Sequence, residues 1–129
     1  MPLVRISLSQ DVSDDQLSAI SDAVHAALVQ KFNVPAADRF QVVTRHPAAE
    51  LICTPEYLGI KHGARIAFVQ ITANEGRTVE MKKDLYGAIA SSIAEVGGIA
   101  AADVIINLVE VKRENWSFGN GIAQYATPQ

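Results

Sequence analysis

The sequence is poor in the features that most simply stabilise or localise a small protein, with one cysteine, 6% aromatic residues and no long apolar run. The lone Cys53 cannot form an intrachain disulfide, and no Cys/His grouping has the spacing of zinc ligands. No apolar segment reaches the roughly 18 residues that cross a bilayer, and the N-terminus lacks the pattern of a signal peptide. These absences predict a cytoplasmic protein that needs no metal or cofactor, does not enter membranes and is stabilised by packing.

The chain also has little net charge, because its 11 Lys and Arg nearly balance its 14 Asp and Glu. No basic stripe is present, so we expect no nucleic-acid partner. With 129 residues, 49% of them hydrophobic, the chain is typical of one globular domain that spans residues 1–129. The mean hydropathy of +0.14 and the 19% of charged residues favour burial of some apolar surface against copies of the same chain.

The chain contains an internal repeat, in which residues 2–43 align with residues 67–108 without a gap. The apolar pattern of the two copies matches along the whole alignment. Short identities support it, including Val4 with Val69 and the Ala-Ala-Asp run that ends at Asp38 in the first copy and at Asp103 in the second. The repeat indicates that one structural unit occurs twice.

Each copy has the pattern of strand, helix and strand. The predicted strands, rich in β-branched and apolar residues, are Leu3–Leu8, Phe40–Arg45, Arg65–Ala73 and Val104–Val111. Ser13 with Gln16 forms a capping-box pattern before the first helix, and Thr78 has the cap position of the second. Apolar stripes at helical spacing follow these caps: Leu17, Ile20, Val24, Ala27, Leu28 and Val29, then Met81, Leu85, Ile89 and Ile93.

Two β-α-β units joined by a linker over residues 46–63 predict an α/β (α+β) fold, with a four-stranded sheet and both helices on one face. The strands within each unit are then parallel. The other face of such a sheet remains open, and three sheets turned inward around an axis would bury it. The pattern therefore predicts an oligomer, for which a trimer is one suitable arrangement.

Differences between the copies indicate where chemistry could occur, and the first is Pro2. Initiator methionine is commonly removed before proline, and loss of Met1 would give Pro2 a free secondary amine at the start of a strand. Its counterpart, Ala67, lies within the chain and can never be an amine. The simpler interpretation is that proline is tolerated at the first residue of a strand.

Arg77 and Asp38 are the other two candidates. Arg77, whose counterpart is Val12, lies in the turn before the second helix, where free backbone N–H groups and a guanidinium suit a carboxylate ligand. A solvated surface arginine is the plainer alternative. Asp38 recurs as Asp103, so it could be only a turn residue that leads into a strand.

Three further features have weaker signals. His25 lies between apolar positions of the first helix, and Cys53 has no neighbouring group that would activate a thiol. Trp116 and Phe118 lie in a turn-rich tail, where they could cover the core or form the wall of a small-ligand pocket.

Met1-Pro2, the doubled unit, Gly76-Arg77-Thr78 and the tail Trp-Ser-Phe-Gly-Asn-Gly together resemble the tautomerase superfamily. The second half is similar to a 4-oxalocrotonate tautomerase subunit. Within the superfamily the chain most resembles the malonate semialdehyde decarboxylases, through residues 34–41, 103–105 and 116–119. This resemblance covers nearly all of the chain, and only the linker matches loosely.

The resemblance implies a homotrimer in which Pro2 is catalytic, Asp38 lies near it, Arg77 binds the carboxylate of a small substrate, and Trp116 and Phe118 form an aromatic wall. One departure concerns the loop before the second helix. Some decarboxylases of this group carry two nearby arginines there, whereas here residues 74–76 are Asn, Glu and Gly. Substrate identity is therefore less firmly implied than the family.

Two enzymatic chemistries and one non-enzymatic role remain open. A cationic Pro2, favoured by an ionised Asp38, suits decarboxylation of a small 3-oxo acid such as malonate semialdehyde, with Arg77 fixing the carboxylate. A neutral Pro2 would act as general base in keto-enol tautomerisation. Because Asp38 is present, we favour the decarboxylase. The third possibility is a non-catalytic trimeric binding module on the same scaffold.

Overall fold

A computed structural model describes residues 1–126 of the chain. Its elements, in chain order, are β1 (Leu3–Ser9), α1 (Asp14–Lys31), β2 (Phe40–His46), β3 (Glu56–Tyr57), β4 (Ile60–Lys61), β5 (Ala67–Asn74), α2 (Val79–Gly97) and β6 (Val104–Val111). The four predicted strands and two predicted helices are confirmed. Three strands, β1, β2 and β5, end one residue later than predicted, and β5 begins at Ala67 instead of Arg65.

The main sheet has four strands in the order β2-β1-β5-β6. β1 is parallel to β2, and β5 is parallel to β6, as right-handed β-α-β crossovers require. The two units meet through the antiparallel pair β1 and β5, in which Leu3 faces Thr72 and Ser7 faces Phe68. This arrangement confirms the two fused β-α-β units.

Side-chain caps set both helix starts. The Ser13 hydroxyl accepts from the Gln16 N–H at 3.1 Å, and the Gln16 side chain accepts from the Ser13 N–H at 3.0 Å. The Thr78 hydroxyl accepts from the Met81 N–H at 3.2 Å. Gly98 caps the C-terminal end of α2, and its φ of +68° is a left-handed conformation that glycine adopts without steric cost.

The core lies between the sheet and the two helices. Alternate residues of β1 and β5 face the helices, and the apolar stripes of both helices pack against them. The largest fully buried side chains are Phe32, Ile6, Leu8, Ile20, Leu28, Ile71, Leu85, Ile89, Ile93, Ile99, Val4 and Val12. The stripe residues Leu17, Val29 and Met81 are half-buried and lie at the margin of this core.

The other face of the sheet is uncovered in the single chain. It presents apolar side chains, of which Phe40, Val42 and Val109 are 43%, 44% and 37% exposed. A polar row crosses its centre, where Arg5 on β1 faces Gln70 on β5 and Gln70 donates to Asn107 on β6 at 3.2 Å. Both helices therefore cover one face only, as predicted.

The linker and the tail have structure of their own. The linker contains a turn of 3-10 helix, Ala48–Glu50, and a small antiparallel hairpin formed by β3 and β4. After β6 the chain makes another 3-10 turn, Arg113–Asn115, and returns to the start of the sheet. Within residues 1–126, neither helix is both long and apolar enough to span a membrane.

Candidate active site

The candidate site lies where the chain enters β1. Pro2 is buried and Met1 is half-buried directly before this strand. Leu3 is paired with Phe40, the first residue of β2, and with Thr72, near the end of β5. The loop before β2 and the turn after β5 therefore both flank the amino terminus, and these two segments carry Asp38 and Arg77.

Electrostatics connect the three groups directly. Burial is the largest influence on the Met1 α-amine and lowers its pKa below the ordinary value. The Asp38 carboxylate opposes this change, and the Arg77 guanidinium adds to it. The charges of Asp38 and Arg77 thus both act on the amine of Met1, which lies directly before Pro2. The roles of Pro2, Asp38 and Arg77 stay predictions.

Arg77 is more firmly held than a surface arginine. Its guanidinium donates to the Asn74 carbonyl at 3.0 Å and to the Phe32 carbonyl at 3.2 Å, and its central carbon lies 4.9 Å from the centre of the Phe32 ring. These contacts join the turn after β5 to the end of α1. Two of the five guanidinium N–H groups make these bonds, and the others remain for a ligand.

An aromatic cluster forms one wall beside the amino terminus. Trp116 stacks on Phe118 with ring centres 5.4 Å apart, and Phe118 lies 5.6 Å from Phe40. These three rings, with Leu3, Ser117 and Gly119, line an open cavity of about 350 Å³. Trp116 and Phe118 therefore lie where the resemblance implies a pocket wall.

The sequence analysis missed two residues of this region. The Tyr125 ring packs edge-on against Phe118 at 5.2 Å and under the Arg113 guanidinium at 4.8 Å. Burial, and then the Asp38 charge, raise the pKa of the Tyr125 hydroxyl. Asn74 accepts a hydrogen bond from the Trp116 indole at 2.7 Å. The sequence draws attention to position 74 only because some decarboxylases carry a second arginine in that loop. Nothing in the sequence shows that the tail brings Tyr125 back towards Asp38.

The second copy of the repeat has a carboxylate at the same position but no amine. Asp103 is buried, and its Oδ1 accepts from the Gly63 backbone N–H at 2.6 Å. Gly63 belongs to the segment that enters β5, just as Met1 and Pro2 enter β1. The equivalent carboxylates thus lie beside the segment that enters a strand in both copies, and Asp103 is bonded to that segment.

Of the two remaining candidates, Cys53 lies apart from this site and His25 borders it. Cys53 is half-buried in the linker, beside His62 in a separate cavity under the hairpin. His25 contacts the loop that carries Asp38, since its Nε2 lies 2.7 Å from the Ala36 carbonyl oxygen. No cluster of three or more His, Cys, Asp or Glu residues in the described part of the chain could hold a metal ion.

Comparison with known proteins assigns the family. Two family models, each described as tautomerase enzyme, match residues 38–119 and 2–61. From Bacillus subtilis (strain 168), the probable tautomerase YusQ is 37% identical over 124 residues, which cover 96% of this chain and 98% of that protein. The probable tautomerase YrdN is 33% identical over 127 residues, with 98% of each chain covered. The chain belongs to the tautomerase superfamily.

Solved structures point to one part of that superfamily. The FG41 malonate semialdehyde decarboxylase inhibited by 3-bromopropiolate is 40% identical, with a TM-score of 0.89 over 98% of this chain and 99% of that one. Another malonate semialdehyde decarboxylase is 32% identical, with a TM-score of 0.87 and 95% of each chain covered. A fused 4-OT symmetric trimer is 26% identical, with a TM-score of 0.80 over 98% of this chain and 99% of that one. The predicted family resemblance is confirmed.

Proposed function

We propose that this protein is a cofactor-independent decarboxylase that acts on a small 3-oxo acid such as malonate semialdehyde. Pro2, freed by removal of Met1, is its catalytic group. The observation that carries the proposal is the meeting of the amino terminus, Asp38 and Arg77 at one end of β1, beside an aromatic cavity. Similarity to two malonate semialdehyde decarboxylases supports the choice of substrate class.

Each residue has a defined part in the proposed reaction. The free N–H groups of Arg77 hold the substrate carboxylate at the turn after β5. The Pro2 ammonium, favoured by Asp38, donates a hydrogen bond to the 3-oxo oxygen. The bond between C2 and the carboxyl carbon breaks, carbon dioxide leaves, and the electron pair moves into an enolate that the ammonium stabilises. A proton added at C2 completes the aldehyde or ketone product.

A covalent route uses the same residues. Neutral Pro2 adds to the 3-oxo carbon, and the former carbonyl oxygen leaves as water with the amine proton and one proton from solvent, which gives an iminium ion. After carbon dioxide leaves, the electron pair forms an enamine, which is protonated at C2 and hydrolysed by water to product and free Pro2. In both routes the Trp116 and Phe118 rings exclude water from the carboxylate, and a dry wall favours a step that replaces an anion with neutral carbon dioxide.

Keto-enol tautomerisation is the second candidate, and one observation favours it. Burial lowers the pKa of the amine at this site, and an amine that is neutral near pH 7 acts as a base. Two relatives from Bacillus subtilis are described as probable tautomerases, which also supports this reaction. Pro2 would then move a proton between the oxygen and carbon of the substrate.

We also propose that the protein works as a homotrimer. Its sheet has an uncovered face with exposed apolar side chains, which include Phe40 and Val42. The similar fused 4-OT protein is a symmetric trimer. Three such faces turned inward would remove these side chains from water.

The test uses protein whose Met1 removal has been confirmed by mass. Carbon dioxide release from malonate semialdehyde and ketonisation of the enol of a 2-oxo acid are measured in parallel, with the Pro2→Ala variant and with protein acylated at the amino terminus. We expect decarboxylation by the unmodified protein and its loss after acylation. Full activity of the acylated protein would exclude any reaction that uses the amine, and ketonisation alone would favour the tautomerase.

A further inference from the structure

The Asp38 carboxylate is held in place only indirectly. It makes no hydrogen bond or ion pair with another side chain in residues 1–126, although its charge acts on both the amino terminus and Tyr125. Within its loop, the Asp38 N–H donates to the Pro35 carbonyl at 2.9 Å. The position of this carboxylate therefore depends on how residues 34–39 are held against the rest of the protein.

Two residues one turn apart on α1 hold this loop. The His25 Nε2 lies 2.7 Å from the Ala36 carbonyl oxygen. A carbonyl oxygen only accepts, so Nε2 carries the proton and donates in both the neutral and the charged ring. The Asp22 carboxylate accepts from the Arg39 guanidinium at 2.8 Å. One contact precedes Asp38 and the other follows it.

The two contacts differ in strength. The Arg39 and Asp22 side chains are 38% and 70% exposed, and an ion pair as open as this contributes little. His25 is half-buried, and its bond to a backbone carbonyl is short. His25 therefore makes the firmer of the two side-chain contacts that hold the loop around Asp38.

The second copy of the repeat provides an internal comparison. The counterparts of Asp22 and His25 are Gly87 and Ala90, neither of which can make such a contact. In that copy the carboxylate at the Asp38 position, Asp103, is bonded directly to the Gly63 N–H. Within residues 1–126, the side-chain contacts from the helix to the loop thus occur in the first copy, in which the Asp38 carboxylate has no hydrogen bond to a side chain.

We infer that His25 is a positioning residue for the proposed reaction, because its bond to Ala36 keeps the Asp38 carboxylate beside the catalytic amine. His25 touches neither the amine nor the cavity lined by Trp116 and Phe118. The inference rests on the proposed function for its kinetic consequence. Its physical content, the distance between a carboxylate and an amine, does not depend on which substrate is used.

The experiment compares His25→Ala, His25→Gln and a matched control, His62→Ala. The glutamine amide can still donate to the Ala36 carbonyl. The control also removes a histidine that lies against a backbone carbonyl, since the His62 Nδ1 is 2.8 Å from the Thr54 oxygen, but in the linker. For each variant, after Met1 removal, the ¹⁵N-labelled Pro2 amine is titrated, kcat and KM are measured, and thermal unfolding is followed.

We expect His25→Ala to lower the pKa of the Pro2 amine towards the value that this amine has in the Asp38→Asn variant. The same change should lower kcat roughly tenfold to a hundredfold, with a smaller change in KM. His25→Gln should recover most of both values. His62→Ala should retain the wild-type amine pKa and the wild-type kcat, whatever its unfolding temperature. When His25→Ala is combined with Asp38→Asn, the pKa of the Pro2 amine should differ little from its value in Asp38→Asn alone.

An unchanged amine pKa and kcat in folded His25→Ala would overturn the inference. So would equal losses in His25→Gln and His25→Ala, because these would indicate a role for the imidazole ring itself. If the wild-type protein decarboxylates no 3-oxo acid, the proposed function fails. The amine titrations of the three variants would still decide whether His25 positions Asp38.

Discussion

Asp38 and Asp103 have equivalent positions in the two halves of the chain, but of the two carboxylates only that of Asp103 accepts a hydrogen bond from a backbone N–H in residues 1–126, that of Gly63 at 2.6 Å. Asp38 instead acts on the amine of the amino terminus. The two halves of the chain thus have a carboxylate in equivalent positions, and Asp103 is the one bonded to the segment that enters a strand.

The first prediction concerns the charge of Asp38. Its carboxylate raises the pKa of the amino terminus against the effect of burial, so Asp38→Asn should lower that pKa further and increase the neutral fraction at pH 7. Amine-selective acylation measured as a function of pH would show the midpoint move to lower pH. Decarboxylation should fall, whereas base-catalysed ketonisation should fall less.

The control for this variant is the equivalent change in the other repeat. Asp103→Asn retains an oxygen that can accept from Gly63 and lies in the half of the chain that has no amine. The acylation midpoint should stay where it is in the wild type. A shift of the same size in both variants would contradict a specific interaction between Asp38 and the amine.

The second prediction separates two roles of Arg77. Arg77→Ala removes hydrogen bonds to the Asn74 and Phe32 carbonyls, which should destabilise the fold by about 1–2 kcal/mol. It also removes the guanidinium that is proposed to bind the substrate carboxylate, so KM for an acidic substrate should rise. Urea unfolding and steady-state kinetics measure the two effects.

Inhibition by a non-reacting carboxylate that mimics the substrate, compared with inhibition by its neutral ester, distinguishes these effects, because an ester cannot itself be decarboxylated. Loss of the guanidinium that binds the carboxylate predicts that Arg77→Ala weakens binding of the acid much more than binding of the ester. A purely structural role predicts equal losses for both. Equal losses would remove Arg77 from the proposed site while leaving Pro2 and Asp38 in it.

Local patterns in the sequence were sufficient to predict the fold, and the repeat supplied the long-range information. Ser13 and Thr78 were identified as caps because capping depends on residues three positions apart. The nearness of Asp38 and Arg77 to Pro2 was implied by the resemblance to the tautomerase superfamily and not by these local patterns. Their roles in the site stay predictions.

Contacts across the chain were not accessible in the same way. Tyr125 contacts Phe118, and the Asp38 charge affects its pKa, because the irregular tail turns back to the sheet. No periodic pattern in the sequence predicts the course of this tail. Arg77 was predicted as a free ligand-binding side chain, but its bond to the Phe32 carbonyl joins residues 45 positions apart. Hydrogen bonds between an exposed turn and a helix end leave no signature in spacing.

The third prediction concerns the close contact between the two helices. A Cβ atom at Gly97 would lie 2.5 Å from Cγ1 of the Ile20 side chain, whereas a Cβ at Gly87 would have no neighbour within 4 Å. Gly97→Ala should therefore cost about 1–3 kcal/mol through overpacking. Gly87→Ala should stabilise α2 by up to about 1 kcal/mol, because alanine favours the helix. Denaturant unfolding of the two variants measures this contrast, and equal effects would contradict the close helix contact.

The fourth prediction tests the proposed trimer with two valines of similar exposure. Val42 lies on the uncovered face of the sheet and is 44% exposed, and Val96 lies on α2 and is 46% exposed. If three sheets bury the open face, Val42→Asp places a charge in the interface and should dissociate the assembly, whereas Val96→Asp should leave it intact. Light scattering coupled to size-exclusion chromatography measures the mass of each. A Val42→Asp protein that keeps its trimeric mass would show that this face is not the interface. A single-chain mass for the unmodified protein would reject the trimer itself.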